Sequence, residues 1–122
     1  MNTERRRVVV TGMGAVTPLG NSREAFWEGL VAGRSGVGPI TAFDASQLRA
    51  RIAAEVRDFD ADALIGRRDA RRMDRYAQFA CVAATEAIAD AQFPDDQELR
   101  NRTGVVIGTG IGGIVTIQET SL

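Results

Sequence analysis

Two glycine loops are the first features of this sequence whose residue types could do chemistry. The second loop, Gly108-x-Gly110-x-x-Gly113, follows an apolar run and matches the fingerprint of a dinucleotide-binding turn. The acidic residue that would support this interpretation would fall beyond residue 122. The first loop, Gly12-x-Gly14, lacks a third glycine and has Pro18 where a phosphate-binding helix should have begun. The alternative is that both loops only make tight turns between strands and helices.

A cluster of arginines is the second such feature. It precedes a segment rich in alanine, and its members fall on one arc if the helix predicted there extends back to Arg67. One interpretation is a solvated charged face, and the other is a docking surface for an acidic partner, since guanidinium groups bind carboxylates and phosphates well. The arginines are Arg67, Arg68, Arg71, Arg72 and Arg75.

The sequence has one cysteine, Cys81, and no histidine, so the commonest general base and metal ligand is absent and a zinc site cannot be assembled. We predict no metal, no cofactor and no catalytic residue in these 122 residues. Cys81 lies between Ala80 and Val82 in a predicted helix, where a thiol behaves as a small apolar group. A single cysteine also fits a reducing compartment, so we expect a cytoplasmic protein.

Composition excludes several classes of protein. With 44% hydrophobic and 25% charged residues, the chain resembles an ordinary globular domain. Its net charge of −1 gives no general attraction to nucleic acid or to anionic membranes. No apolar run is long enough to span a bilayer, and Thr11 and Gly12 interrupt the apolar stretch near the N-terminus too early for a signal peptide.

Strands and helices alternate in the predicted pattern, which is typical of an α/β fold with a central sheet. The helix after residue 69 carries small residues such as Ala84 and Ala87 on one face, and we predict it to be buried tightly against another helix. The predicted elements are a buried strand at 8–10, a helix capped by Asn21 with Glu24 and stopped by Gly33, a loop at 34–44, an extended segment at 52–56, a helix at 69–92 ended by Pro94, a buried strand at 105–107 and a helix from Ile114.

Five ordered stretches together resemble the elongating β-ketoacyl-acyl carrier protein synthases. They are Arg-Arg-Val-Val-Val-Thr-Gly-Met-Gly from Arg6, Thr17-Pro18-Leu19-Gly20-Asn21, Phe26-Trp27 with Ala32-Gly33-Arg34-Ser35-Gly36, Arg71-Arg72-Met73-Asp74, and Ile107-Gly108-Thr109-Gly110-Ile111-Gly112-Gly113. The resemblance covers nearly all of this chain but about the first third of a family member. Together with an end at Leu122 inside a predicted helix, it indicates a partial N-terminal ketosynthase domain over residues 1–122, truncated before the catalytic residues.

The resemblance implies a thiolase-like fold, two α/β halves in αβαβα layers, with this chain as the opening part of the first half. It also implies a homodimer that performs a decarboxylative Claisen condensation in fatty-acid synthesis with acyl- and malonyl-loaded acyl carrier protein. The family's catalytic cysteine, two histidines and backbone amides would do that chemistry, and the three side chains would lie beyond Leu122.

Residue by residue, the resemblance assigns binding roles. Arg68, Arg71 and Arg72, with Arg67 beside them, would dock the acidic carrier protein. Gly110, Ile111 and Gly112 would bind the acyl substrate, with Ile111 lining the chain pocket. The same stretches also resemble those of a non-catalytic chain-length factor and of a polyketide ketosynthase. The motif Pro18-Leu19-Gly20-Asn21 favours the fatty-acid branch. The nucleotide-binding α/β domain stays as a third class.

Overall fold

The structure is a computed structural model and describes residues 5–121. Most of the ordered backbone in this range is helical, with one short antiparallel hairpin. The elements in chain order are α1 (Arg23–Val31), β1 (Val37–Pro39), β2 (Ile52–Ala54), α2 (Ala61–Ile65), α3 (Arg67–Ala70), α4 (Arg75–Asp90), α5 (Gln97–Asn101) and α6 (Ile114–Thr120). The predicted helices at α1 and α6 are confirmed, while α2 and α5 were not predicted.

The N-terminus of α1 is capped by Ser22, whose hydroxyl accepts the amide hydrogen of Ala25 at 3.2 Å. The prediction that Asn21 is the cap was therefore wrong by one residue. The Asn21 amide instead donates to the carbonyl oxygens of Arg57 and Asp58 at 2.8 and 3.0 Å. It thereby ties the start of α1 to a turn in which Asp58 has a positive φ of 53°.

Both long helices end in the same hydrogen-bond pattern. After α1, Gly33 has a φ of 64°, and the Arg34 amide donates to the Gly29 carbonyl at 3.0 Å, as in a Schellman motif. The predicted stop at Gly33 is confirmed. After α4, Gln92 takes the left-handed position with a φ of 48°, and Pro94 follows, as predicted from the sequence.

The hairpin pairs β1 with β2 in an antiparallel register that sets Val37 opposite Ala54. The extended segment predicted near 52–56 is confirmed, but the loop predicted over 34–44 contains β1. The carboxylate of Glu55 holds the chain beyond β1, because it accepts the amide hydrogens of Thr41 and Ala42 and the Thr41 hydroxyl. These bonds lower the pKa of Glu55, the Thr41 hydroxyl contributing most.

The long helix α4 begins at Arg75 and not at Asp69 as predicted. Residue Asp74 is extended, with a ψ of 156°, so the chain turns between α3 and α4. The Gln78 amide nitrogen crosses this turn and donates to the carbonyl oxygens of Ala70 and Met73 at 2.8 and 3.1 Å. It satisfies acceptors that a continuous helix would have paired, so the break is a defined corner.

The alanine face of α4 packs against the glycine loop near the N-terminus, which was not predicted, and α4 also contacts the helix α2. A Cβ on Gly12 would overlap the carbonyl oxygen of Ala87, and one on Gly14 would overlap that of Ala83. Small residues on both sides therefore allow backbone to lie directly on backbone. The prediction of burial was wrong, since α4 contains no buried residue. Within residues 5–121 the buried hydrophobic side chains are Ala45 and Ala70.

The two predicted strands at 8–10 and 105–107 have no strand structure, and their apolar side chains lie exposed, with Val8 at 93% and Val106 at 98%. A strand requires hydrogen bonds to a neighbouring strand, and the part of the chain that the structure describes pairs neither segment. Their sequences therefore carry β-propensity without a partner. Among residues 5–121, no helix is both long and apolar enough to cross a membrane.

Candidate functional site

Four of the predicted arginines come together on one surface, which we call the arginine surface: Arg67, Arg68, Arg71 and Arg72. They line a shallow depression of about 700 Å³ and are all exposed. The first two belong to α3 and the others to the turn that follows it. The helix does not continue as predicted, but one helical turn and a tight turn still bring the four guanidinium groups to one side.

The charge of the arginine surface is largely uncompensated. Within residues 5–121, the ion pair that involves one of its members joins Arg67 to Asp62, at a distance of 4.0 Å. Exposed guanidinium groups that line one depression can bind several carboxylates or phosphates at once. The surface can therefore attract an acidic partner, although the net charge of the chain is −1.

Arg75 does not join this surface, so its predicted place in the arc was wrong. Its guanidinium lies over the rings of Phe59 and Phe79, 5.4 and 5.0 Å from their centroids. The two rings meet edge to face at 4.8 Å. The Arg75 side chain also donates to the Val56 carbonyl oxygen at 3.2 Å. Arg75 thus stabilises the contact between α4 and the segment before α2.

The second glycine loop, residues 108–113, packs its last two glycines onto the start of α4. A Cβ on Gly112 would lie 2.7 Å from the Tyr76 ring, and one on Gly113 would lie 2.7 Å from Asp74 Oδ2. Gly113 also has a φ of 77°, which favours glycine. Both positions therefore need glycine in order to contact α4 closely.

The predicted substrate residues Gly110 and Ile111 point away from this contact. No atom lies within 4 Å of a Cβ built on Gly110, and the Ile111 side chain is 74% exposed. Of the three predicted residues, only Gly112 packs against the described structure. The loop thus presents an apolar side chain beside a glycine whose backbone is openly accessible.

The nucleotide hypothesis conflicts with the geometry of this loop. A pyrophosphate would have to bind at the N-terminus of α6, next to Gly113. The Asp74 carboxylate lies there instead and accepts a hydrogen bond from the Thr116 hydroxyl. A carboxylate at this place repels phosphate. The segment before the loop, 105–107, is not a strand, which the fingerprint requires.

A pair of acidic residues one helical turn apart on α4 fixes the first glycine loop, and sequence reasoning missed it. Glu86 accepts the amide hydrogens of Ala15 and Arg23 at 2.8 and 2.9 Å. Asp90 accepts the Met13 amide hydrogen at 2.9 Å and forms an ion pair with Arg23. These bonds, the Arg23 bond first, lower the pKa of Asp90. Two acids at i and i+4 beside an alanine face were the available signal.

Comparison with known proteins places this arrangement in a family. The family model for the N-terminal domain of beta-ketoacyl synthase matches residues 5–121. The chain belongs to the beta-ketoacyl synthase family. The resemblance inferred from the five sequence stretches is thereby confirmed.

Several ketosynthases are similar to this chain over most of its length. The 3-oxoacyl-[acyl-carrier-protein] synthase 2 of Synechocystis is 48% identical over 97% of the chain, and that of Coxiella burnetii is 47% identical over 95%. A solved structure titled "The ishigamide ketosynthase/chain length factor" has a TM-score of 0.65 at 40% identity, covering 75% of this chain and 23% of the other. The chain spans 28% of the length of these two synthases. The predicted thiolase-like ketosynthase fold is confirmed.

Cys81 lies on α4 of this ketosynthase domain, with its Sγ 3.8 Å from the sulfur of Met73. A thioether cannot accept the thiol proton as a general base would. The contact fits the predicted structural role of Cys81 as a small packing residue. It also shows what Met73 does in the motif Arg71-Arg72-Met73-Asp74, since its side chain joins the turn that carries the arginines to α4.

Proposed function

We propose that the chain is the opening part of the N-terminal domain of an elongating β-ketoacyl-acyl carrier protein synthase of fatty-acid synthesis. The observation that carries this proposal is the match to 3-oxoacyl-[acyl-carrier-protein] synthase 2 at 48% identity over 97% of the chain. The complete enzyme would be a cytoplasmic homodimeric acyltransferase. Its domain would extend beyond these 122 residues.

The proposed reaction has two steps. An acyl group is transferred from the carrier's thiol to an enzyme cysteine, and the carrier thiol is released. Malonyl-carrier then loses CO₂, and the resulting carbanion attacks the acyl-enzyme thioester to form a carbon–carbon bond and free the cysteine. The chain has no histidine, and its one cysteine packs in α4. We therefore assign the catalytic cysteine and histidines to the remainder of the enzyme, and binding functions to this part.

The arginine surface is the proposed docking site for acyl carrier protein. Phosphopantetheine carriers are acidic, and four exposed guanidinium groups around one depression provide complementary charge. By the resemblance of the sequence to the family, Arg68, Arg71 and Arg72 would occupy the basic positions that dock the carrier. Such a surface mainly increases the association rate and selects acidic partners.

The glycine loop is the proposed wall of the acyl-chain pocket. Ile111 has an exposed apolar side chain next to Gly110, whose backbone is open to close approach by a ligand. In the complete enzyme these residues and Gly112 would contact the acyl substrate. Ile111 would then limit the length of the pocket.

The activity is tested on the complete protein with acyl-carrier and malonyl-carrier as substrates. We expect one CO₂ released for each 3-oxoacyl-carrier formed, and we would measure both by radiolabel and mass spectrometry. A homodimer that folds but forms no condensation product would contradict the proposal.

The docking role is tested by Arg71→Glu, with Arg49→Glu, an exposed arginine of the loop between β1 and β2, as the matched control. Reversing an exposed charge should raise the KM for acyl-carrier by about fivefold at low salt and flatten its salt dependence. Arg49→Glu should leave both unchanged. Equal KM values for Arg71→Glu and wild type at low salt would mean that the arginine surface is only a solvated charged face with no docking role.

A second candidate function is a chain-length factor, which the similarity to the ishigamide ketosynthase/chain length factor supports. Such a subunit shares the fold but lacks the nucleophile, so it would not condense substrates as a homodimer. The assay above separates the two candidates. A product that forms only after addition of a second, catalytic ketosynthase subunit would favour the chain-length factor.

A further inference from the structure

Asp74 stands at the cap position of α4 but does not cap the helix. Its backbone is extended as a cap residue requires, yet its side chain forms no cap hydrogen bond. By contrast, Asp60 and Asp96 each cap their helix by accepting an amide hydrogen, from Ala63 at 3.0 Å and from Leu99 at 2.7 Å. The carboxylate of Asp74 is therefore engaged elsewhere.

The partner of Asp74 is Thr116 in α6, 42 residues further along the chain, whose hydroxyl donates to Asp74 Oδ1. The other carboxylate oxygen faces Gly113, where a Cβ would lie 2.7 Å away. Tyr76 packs against Gly112 one residue before. Asp74 and Tyr76 thus hold the C-terminal end of the glycine loop and the first turn of α6 against the start of α4.

The rest of the loop is not held in this way. A Cβ on Gly108 or Gly110 would meet no atom within 4 Å, and Ile111 is exposed. A glycine-rich segment has many accessible backbone conformations, so its position is determined by the points at which it is fixed. Among residues 5–121, the hydrogen bond from the Thr116 hydroxyl to Asp74 links α6 to the start of α4 through side chains.

We infer that Asp74 is a positioning residue that, through Thr116, fixes the glycine loop and so sets the place of Ile111 and the longest acyl chain that the enzyme accepts. This inference rests on the proposed function. A hydrogen bond to a charged acceptor is among the stronger ones in proteins. The Asp74 carboxylate would keep the loop in place through this bond to Thr116, and it therefore does not cap α4.

The physical consequence is a change in substrate length selection. If the loop moves so that one methylene of the acyl chain can no longer be buried, the affinity falls about fourfold, and each further methylene repeats the loss. A looser loop therefore affects long primers and leaves short primers nearly unchanged. General destabilisation would instead lower the activity with every primer equally.

The test uses the complete synthase and measures kcat and KM for acyl-carrier primers of increasing length. Thr116→Val removes the hydroxyl at constant shape, Thr116→Ser retains it, and Thr120→Val is the matched control on the same helix. The Thr120 hydroxyl bonds to the carbonyl oxygen of Thr116 within α6 at 2.8 Å. Asp74→Ala and Asp74→Asn form the second pair, because an asparagine oxygen can still accept the Thr116 hydrogen.

We expect Thr116→Val and Asp74→Ala to change the ratio of kcat/KM for long and short primers by about fourfold or more, mainly through KM. Thr116→Ser and Thr120→Val should keep the wild-type ratio, and Asp74→Asn should fall between wild type and Asp74→Ala, because a neutral amide oxygen accepts a weaker hydrogen bond than a carboxylate. Ile111→Phe is run in parallel, since it tests the proposed pocket directly. A length effect for Ile111→Phe with none for Thr116→Val or Asp74→Ala would overturn the role of Asp74 and leave the proposed function standing. A wild-type enzyme without condensing activity would overturn both.

Discussion

The two glycine loops differ in what their glycines contact. In the first loop, Gly12 and Gly14 lie on the backbone of α4, and acidic side chains of that helix bind the amides between and after them. In the second loop, Gly108 and Gly110 meet nothing, and only the last two glycines touch α4. Similar sequence motifs thus have different surroundings: both glycines of the first loop pack on α4, whereas in the second loop only Gly112 and Gly113 do so, and Gly108 and Gly110 have open space around them.

The largest expected effect is the loss of stability when a methyl group is added to the first loop, compared with the same change in the second. Gly14→Ala places a Cβ onto the Ala83 carbonyl oxygen, where only backbone movement can relieve the overlap, so we expect a loss of about 3 kcal/mol in the free energy of unfolding. Gly110→Ala is the matched control, and its effect on stability should be within about 1 kcal/mol. Urea denaturation of the complete protein measures both.

Activity sharpens the same comparison. Gly110→Ala should lower kcat/KM for long acyl primers, since the methyl group occupies space that we assign to the substrate. Equal losses of stability in the two variants would show that the second loop is packed as tightly as the first. The distinction between a packing loop and a binding loop would then fail.

The next effect concerns the acid that holds the first loop. Glu86 accepts hydrogen bonds from the amides of Ala15 and Arg23, and Glu86→Ala leaves both donors without this acceptor. We expect a loss of about 2 kcal/mol, within the range for hydrogen bonds to charged groups. Glu28→Ala, at an exposed position in α1, is the control and should change stability by less than about 0.5 kcal/mol. A similar midpoint for both variants in urea would contradict a role for Glu86 in fixing the loop.

Local sequence signals predicted the helices better than the strands. The stop at Gly33 and the helix from Ile114 follow from residues within one or two turns of each other. The apolar runs at 8–10 and 105–107 have the composition of strands, but a strand depends on a neighbour that its own sequence does not specify. The same limit explains why the contact between the alanine face of α4 and the first glycine loop was not predicted.

In the candidate site, too, features set by neighbouring residues were predicted and contacts between distant residues were not. The four arginines of the arginine surface were predictable because they lie within six residues, and a tight turn after α3 keeps them together even though the helix breaks. The pair of acids on α4 was visible in the sequence, but the partners were not, since the bonds from Asp74 to Thr116 and from Glu86 to Ala15 join residues 42 and 71 positions apart. One sequence contains many acidic residues, and only the fold selects which of them binds a given loop.

The smallest effect is the part of the pH dependence of stability that comes from Asp90 at the first loop. The Arg23 side chain and the Met13 amide donate to Asp90 and lower its pKa in the folded protein, while in the unfolded chain Asp90 titrates at its ordinary value. The unfolded state therefore takes up the proton first as the pH falls. The stabilisation is complete above the unfolded pKa and disappears as the pH falls through the folded one. Asp90→Asn should accordingly flatten the fall of the urea midpoint between neutral and acid pH.

Part of the acid sensitivity should remain in Asp90→Asn, because hydrogen bonds also lower the pKa of Glu55 at the hairpin and of Asp44 in the loop that follows β1. Glu55→Gln is the matched variant: it should flatten the same profile without loosening the Met13 amide, which hydrogen exchange reports directly. Faster exchange at Met13 in Asp90→Asn but not in Glu55→Gln would locate the effect in the first glycine loop. Identical pH profiles for wild type and Asp90→Asn would mean that its ion pair with Arg23 is fully screened by water, and that Glu86 and the close glycine packing hold this loop.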